Sequence, residues 1–223
     1  MSEISDQHKT VLAKLAAASK RAGMAAADLV AVSKVQPDDR IAAMLAAGQR
    51  IFGENRVQEA QTRWGETFAN HRADIELRLI GPLQTNKAAD ALALFDVIET
   101  VDREKLLKAL VKAVSGREMP RLYVQVNTGA EPQKSGVLPV ELSAFLKTMR
   151  ETYNLAPEGL MCIPPAGEAA SPHFWMLSNL ARDNGVSKLS MGMSADYEIA
   201  AEMGATSVRV GSALFGARKS QKT

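Results

Sequence analysis

Eight short apolar runs, each followed by a stretch with helical spacing, constrain this chain more than any other feature. The runs cover residues 29–33, 50–55, 75–80, 97–101, 122–126, 159–163, 188–191 and 207–210. They lack the apolar–polar alternation of a half-solvated sheet, as strands buried on both faces do. The stretches between them carry helix start and stop signals. Pro37 opens one that runs to Leu45, with Gly48 past its end. Asp102 can cap a helix over 103–114, and Gly204 ends one over 195–203. A further helix over 5–22 leads the chain, with Val11, Leu12, Leu15, Ala16 and Ala18 at apolar spacing and Gly23 at its end. Parallel strands joined by helical crossovers make a doubly wound sheet or a closed barrel. Eight units in 223 residues favour a single α/β (β/α)₈ TIM-like barrel. The expected organisation is an N-terminal helix within 1–27, a barrel over 28–218 and a tail at 219–223.

A barrel collects its chemistry where strands end, and Lys34, Asn55, Gly81, Asn127, Ile163, Met191 and Gly211 fall there. Lys34 closes the first run. An amine desolvated at a strand end can lose its proton and attack a carbonyl to form a Schiff base, although a lysine in that place is more often a solvated stem. The stretch 188–216 holds two strand–turn–helix junctions, Ser190-Met-Gly-Met-Ser194 and Gly211-Ser212-Ala213. Glycine lets backbone N–H groups approach an anion, serine adds a hydroxyl, and a helix start adds positive potential. In barrels the loops after strands seven and eight are the frequent phosphate site. Arg209 lies inside the eighth run and needs an acceptor there: a carboxylate, a carbonyl or a bound ligand. Amine, anion cup and guanidinium together point to a phosphorylated carbonyl ligand. A class I aldolase-like enzyme and a holder of pyridoxal 5′-phosphate both fit, and spacing does not separate them.

Several classes are disfavoured. Lys plus Arg total 27 against 25 for Asp plus Glu, so net charge demands no nucleic acid or other polyanion. Cys162 is the only cysteine, which excludes an internal disulfide and a cysteine-rich zinc site. His8, His71 and His173 lack metal-ligand spacing. No apolar run approaches the length of a membrane span and the N-terminus has no signal-like core, so a cytoplasmic protein is expected.

The segments AVSKVQP (31–37), FGENRVQEA (52–60), LIGPLQTNK (79–87), VQVNTGAEPQKSG (124–136), GLMCIPP (159–165) and LSMGMSADYEIAAEMGATSVRVGSALFGAR (189–218) carry a resemblance. Together they resemble the family of pyridoxal 5′-phosphate homeostasis proteins, which is similar in fold to the barrel domain of alanine racemase. The resemblance implies that Lys34 forms the Schiff base with the cofactor. It implies that Ser190, with the backbone at Gly211 and Ser212, holds the phosphate. Arg209 would face the pyridine nitrogen and Asn55 would line the pocket. Lys87 and Lys134 match family lysines with secondary contacts or a part in release. Two departures stand out: Arg56 where the family often has tyrosine, and Leu77-Arg78 where it often has Trp-His, both expected to alter the pocket's rim.

The implied function is a monomeric cofactor carrier or buffer serving pyridoxal-phosphate-dependent apo-enzymes, without robust catalysis. An arginine at the ring nitrogen donates a hydrogen bond without protonating the ring, because its pKa exceeds about 12. That weakens the ring as an electron sink, but alanine racemase has a similar arginine, so a racemase-like enzyme is the alternative. Racemases of that fold also carry a second, mostly β domain that helps supply a tyrosine base. Tyr123, Tyr153 and Tyr197 are the tyrosines of this chain, and none is placed as an obvious second base.

Overall fold

Each apolar run becomes a strand because its neighbours and an outer helix cover both of its faces. The computed structural model describes residues 3–216, and within them eight parallel strands close into a barrel in sequence order. The strands are β1 (Asp28–Val32), β2 (Ile51–Glu54), β3 (Glu76–Leu79), β4 (Val97–Val101), β5 (Arg121–Val126), β6 (Gly159–Cys162), β7 (Lys188–Ser190) and β8 (Ser207–Val210). β1 closes the ring on β8, with Asp28 opposite Ser207 and Ala31 opposite Val210. The helices are α1 (Glu3–Arg21), α2 (Asp38–Ala46), α3 (Val57–Ala60), α4 (Ala88–Leu94), α5 (Glu104–Val114), α6 (Leu142–Glu151), α7 (Ala170–Asp183), α8 (Tyr197–Glu202) and α9 (Ser212–Phe215). The expected tail, 219–223, and the last two residues of the expected barrel span lie outside the described residues.

Two cores follow from the alternation of side chains across a strand. Outward-facing Phe52, Leu77, Ile98 and Leu160 join helix residues such as Leu106 and Phe174 in one large apolar cluster. The barrel interior is separate: Val97, Tyr123 and Met161 form a small cluster of their own, beside a group of buried polar side chains. Gly159 makes room for Tyr123, since a Cβ there would lie 2.2 Å from its ring. α1 buries His8, Val11, Leu15 and Ala18 and packs against α8 and α9. Its acidic first turn and basic last turn complement the helix dipole. Among the described residues no helix is long and apolar enough to cross a membrane.

One element departs from expectation. The stretch of helical spacing after β2 holds α-geometry only over α3, then widens into a π-helix over Gln61–Thr67 and tightens to a 3₁₀ turn over Ala69–Asp74. The wider turn brings the consecutive side chains of Arg63 and Trp64 onto one oxygen of Glu54, which regular α-spacing does not favour.

Candidate functional site

A cavity of about 320 Å³ opens at the C-terminal ends of the strands. Val32, Ile80, Ile163 and Met193 give it apolar walls. Lys34, Gln36 and Asn55 line one side; Ser194, Gly211 and Ser212 line another; Arg209 reaches it from within β8. The fold thus brings Lys34, Asn55, Arg209, Gly211 and Ser212 to one place.

Lys34 sits on a turn held from several directions. Ser33 N donates to Gly53 O at 3.0 Å, so the chain is still tied to β2 one residue before the lysine. Gln36 N donates to Ser33 O at 3.1 Å and closes the turn. Between them Val35 takes φ 53°, a left-handed conformation that a β-branched residue rarely adopts. One guanidinium clamps both ends: Arg63 donates from Nη1 to Ser33 O at 3.0 Å and from Nη2 to Gln36 O at 2.8 Å. Arg63 is itself fixed by Glu54, whose Oε1 accepts from Arg63 Nη1 at 2.8 Å, Ser33 Oγ at 2.7 Å and Trp64 Nε1 at 3.2 Å. The Glu54 side chain is fully buried. Sequence pattern alone did not single out Glu54 and Arg63. The available signal was a carboxylate inside an apolar run.

Asn55 is set by close backbone packing. A Cβ on Gly81 would lie 2.2 Å from Asn55 O, so only glycine lets the two strand-end loops approach this closely. The other side of the cavity is tied together by Ser194, whose Oγ accepts from Gly211 N at 3.1 Å and Ala213 N at 3.3 Å. Gly192, at φ 92°, packs the same loop onto α8, where a Cβ would meet that of Ala200 at 2.4 Å.

Ser190 is not on the cavity lining, contrary to its expected place in the phosphate cup. It ends β7 facing the barrel interior, fully buried, where it donates to Glu99 Oε2 at 2.6 Å and accepts from Arg209 Nη1 at 2.6 Å. The serines on the cavity lining are Ser194, in the loop after β7, and Ser212, after β8. Arg209 meets a carbonyl as well, donating from Nη2 to Cys162 O at 2.8 Å. Leu77 and Arg78 are not at the rim either. Leu77 is in the outer core, and Arg78 is buried inside the barrel, 3.1 Å from Glu99 Oε1 and 2.5 Å from Glu76 Oε1. Burial opposes the charge of Arg78, but Glu99 and Glu76 outweigh it and push its pKa up. Arg56 is exposed and 3.4 Å from Glu59.

Lys87 and Lys134 are off the lining and are ion-paired, to Asp90 at 3.2 Å and Glu131 at 2.5 Å. No tyrosine lines the cavity among the described residues. Tyr123 is inside the barrel, where burial pushes its phenol above the ordinary range, and Tyr153 donates to Glu104. Burial likewise pushes the Cys162 thiol up to about 12. No group of three or more His, Cys, Asp or Glu able to hold a metal ion occurs among the described residues.

Comparison with known proteins adds a second line of support. The family described as the alanine racemase N-terminal domain matches residues 9–219. A pyridoxal phosphate homeostasis protein of Pseudomonas aeruginosa is 40% identical, covering 98% of this chain and 97% of that one. The one from Escherichia coli is 35% identical over 100% of both chains. Among solved structures, PipY of Synechococcus elongatus with PLP bound superposes with a TM-score of 0.80 at 33% identity, over 96% of this chain and 100% of that one. Alanine racemase of Corynebacterium glutamicum shares the fold, with a TM-score of 0.65 at 18% identity over 95% of this chain and 63% of that one.

Proposed function

We propose, for a chain that belongs to the alanine racemase N-terminal-domain family and within it to the pyridoxal phosphate homeostasis proteins, that the strand-end cavity holds pyridoxal 5′-phosphate for storage and delivery. The observation that carries the reading is the joint presence of an amine, a guanidinium and a hydroxyl–amide cup in one cavity with apolar walls. The cavity's volume lies at the small end of the range for small-molecule sites. Its donor set suits the group. Ser194 and Ser212, with the Ser212 N–H, would take the phosphate beside Gly211, whose own N–H holds Ser194 Oγ in place; Arg209 would donate to the ring nitrogen, and the flanks at Ile80, Ile163 and Met193 would meet the ring faces. Lys34 would be the covalent tether, with Asn55 beside it. When bound, pyridoxal 5′-phosphate supplies an aldehyde that condenses reversibly with an amine and a ring that withdraws electrons.

The residues of this chain bind and orient more than they transfer protons. Arg209 keeps its proton and donates. Lys34 is the only side chain on the described lining with ordinary general-base chemistry, and no tyrosine stands opposite it. That supports a carrier without a robust reaction of its own; we further propose that it acts in the cytoplasm as a monomer and delivers the cofactor to apo-enzymes. Purified protein should therefore be coloured, and borohydride reduction should leave the pyridoxyl group on Lys34. Lys34→Ala should abolish both signals. A colourless protein trapped only after addition of an aldol substrate would favour the aldolase, and turnover-scale exchange of the alanine α-deuteron would favour the racemase.

A further inference from the structure

Arg209 is one end of a chain of polar contacts that crosses the barrel interior. Its Nη1 donates to Ser190 Oγ at 2.6 Å, that hydroxyl donates to Glu99 Oε2 at 2.6 Å, and Glu99 Oε1 accepts from Arg78 Nη1 at 3.1 Å. Arg209 and Arg78 are 4% and 3% exposed, and Ser190 and Glu99 are at 0%. The members come from β8, β7, β4 and β3, so the contacts span the barrel instead of following one seam of it. Arg78 also donates across the interior to Ser207 Oγ at 3.2 Å. Its Nε meets Glu76, which takes Arg121 Nη2 at 2.6 Å on its other oxygen.

The direction of every proton in this chain is determined. A guanidinium only donates and a carboxylate only accepts, so the single O–H of Ser190 points to Glu99 and its lone pairs face Arg209. With a second N–H held by Cys162 O, the plane of Arg209 is fixed from beneath. Two of its five N–H groups are thereby committed to the barrel interior, while the residue lines the cavity. Charge follows the same layout. Glu99 lies 3.9 Å from Arg209 and 3.1 Å from Arg78, one carboxylate between two buried guanidiniums, so Arg209 is only partly neutralised. Tyr123 also lies inside, held protonated by burial, and Asp28 faces Arg78 from β1 at 3.9 Å.

We propose that Glu99 is a positioning residue for the bound cofactor: through Ser190 it orients Arg209, and by being shared with Arg78 it sets the positive potential that Arg209 presents to the ligand. This rests on the pyridoxal 5′-phosphate reading. It is more specific than a purely structural ion network, which would hold the strands together without affecting the ligand.

The test uses the full chain loaded with pyridoxal 5′-phosphate. Glu99→Gln removes the negative charge while keeping the shape, so the pH midpoint of the visible band should fall by roughly one unit, because an unbalanced guanidinium disfavours the protonated tether nitrogen. Ser190→Ala keeps both charges and removes the hydroxyl. It should weaken cofactor binding about three- to tenfold and change the induced circular dichroism of the visible band, with the far-ultraviolet spectrum unchanged. A folded Glu99→Gln protein with an unmoved midpoint overturns the proposal. If that variant does not fold, a Ser190→Ala protein with wild-type affinity and induced dichroism overturns it. A coloured wild-type protein in either case leaves the cofactor reading intact. A colourless wild-type protein overturns both.

Discussion

Replacing Arg63 with alanine should damage stability and cofactor binding together, because one guanidinium serves both. Its side chain is 13% exposed and lies 2.8 Å from a carboxylate that is fully buried. Removing it leaves Glu54 charged and without its cation, a class of change that costs about 3–5 kcal/mol. The 3.7 Å pair with Asp38 adds little, since that carboxylate is 58% exposed. A domain of ordinary stability holds about 5–15 kcal/mol, so the variant should fold in the cold with a much lower urea midpoint. Loss of the bonds to Ser33 O and Gln36 O also frees the turn that carries Lys34, which should speed release of pyridoxal 5′-phosphate. Urea unfolding of Arg63→Ala, Glu54→Gln and the double variant isolates the pair. Once Glu54 is neutral, removing Arg63 should cost at least about 2 kcal/mol less than it does in the wild type. An Arg63→Ala cost below about 1 kcal/mol, or additivity within about 0.5 kcal/mol, would refute the reasoning.

Val35→Gly should raise thermal stability slightly: it relieves a positive φ at a residue 62% exposed, a strain of about 1–3 kcal/mol, against about 0.5–1 kcal/mol of added chain entropy. A melting temperature lowered by several degrees would count against strain at that turn. Cys162 should not react with a thiol reagent at pH 8 in the native protein and should react once per chain in denaturant, because the thiol is buried and pushed up to about 12. Burial raises the Glu76 carboxyl but Arg78 and Arg121 outweigh it, so its folded pKa lies below the unfolded value of 4.5. Its contribution is therefore complete above about pH 4.5 and lost as pH falls through the folded value. Glu76→Gln should flatten the acid limb of stability against pH, and an unchanged limb would show that Glu76 does not supply it.

The barrel was legible because strands covered on both faces leave apolar runs that need no alternation to be seen. The strand-end residues followed, since a barrel dictates which end carries chemistry: Lys34, Asn55 and Gly211 were read on that ground, Ser212 from the turn after the eighth run and Arg209 from its need of an acceptor inside it, and all five line the cavity. The same absence of alternation hid which way polar residues inside the strands point. Ser190 and Ser194 are four residues apart in one junction, yet the first ends β7 facing inward and the second belongs to the loop. Arg78 was expected at the rim from the family resemblance, and its run offers no alternation that would have placed it inside the barrel instead. Glu54 left a signal as a carboxylate inside an apolar run, but its pairing with Arg63 did not, because Arg63 lies on a π-helical segment that no apolar period encodes.

Two carboxylates at 0% exposure thus brace the two ends of the site, Glu54 through Arg63 on the lysine side and Glu99 through Ser190 on the guanidinium side. Neither carboxylate is on the cavity lining, and among the described residues the two share no hydrogen-bonding partner. Each carboxylate carries more than one donor, so each fixes a geometry and not merely a charge. If the braces act independently, the effects of Arg63→Ala and Ser190→Ala on cofactor affinity should add within about 0.5 kcal/mol, as for distant sites. A double variant that binds markedly better or worse than that sum would mean that the Lys34 turn and the Arg209 plane move as one unit. Release would then be governed from the barrel interior and not at the mouth.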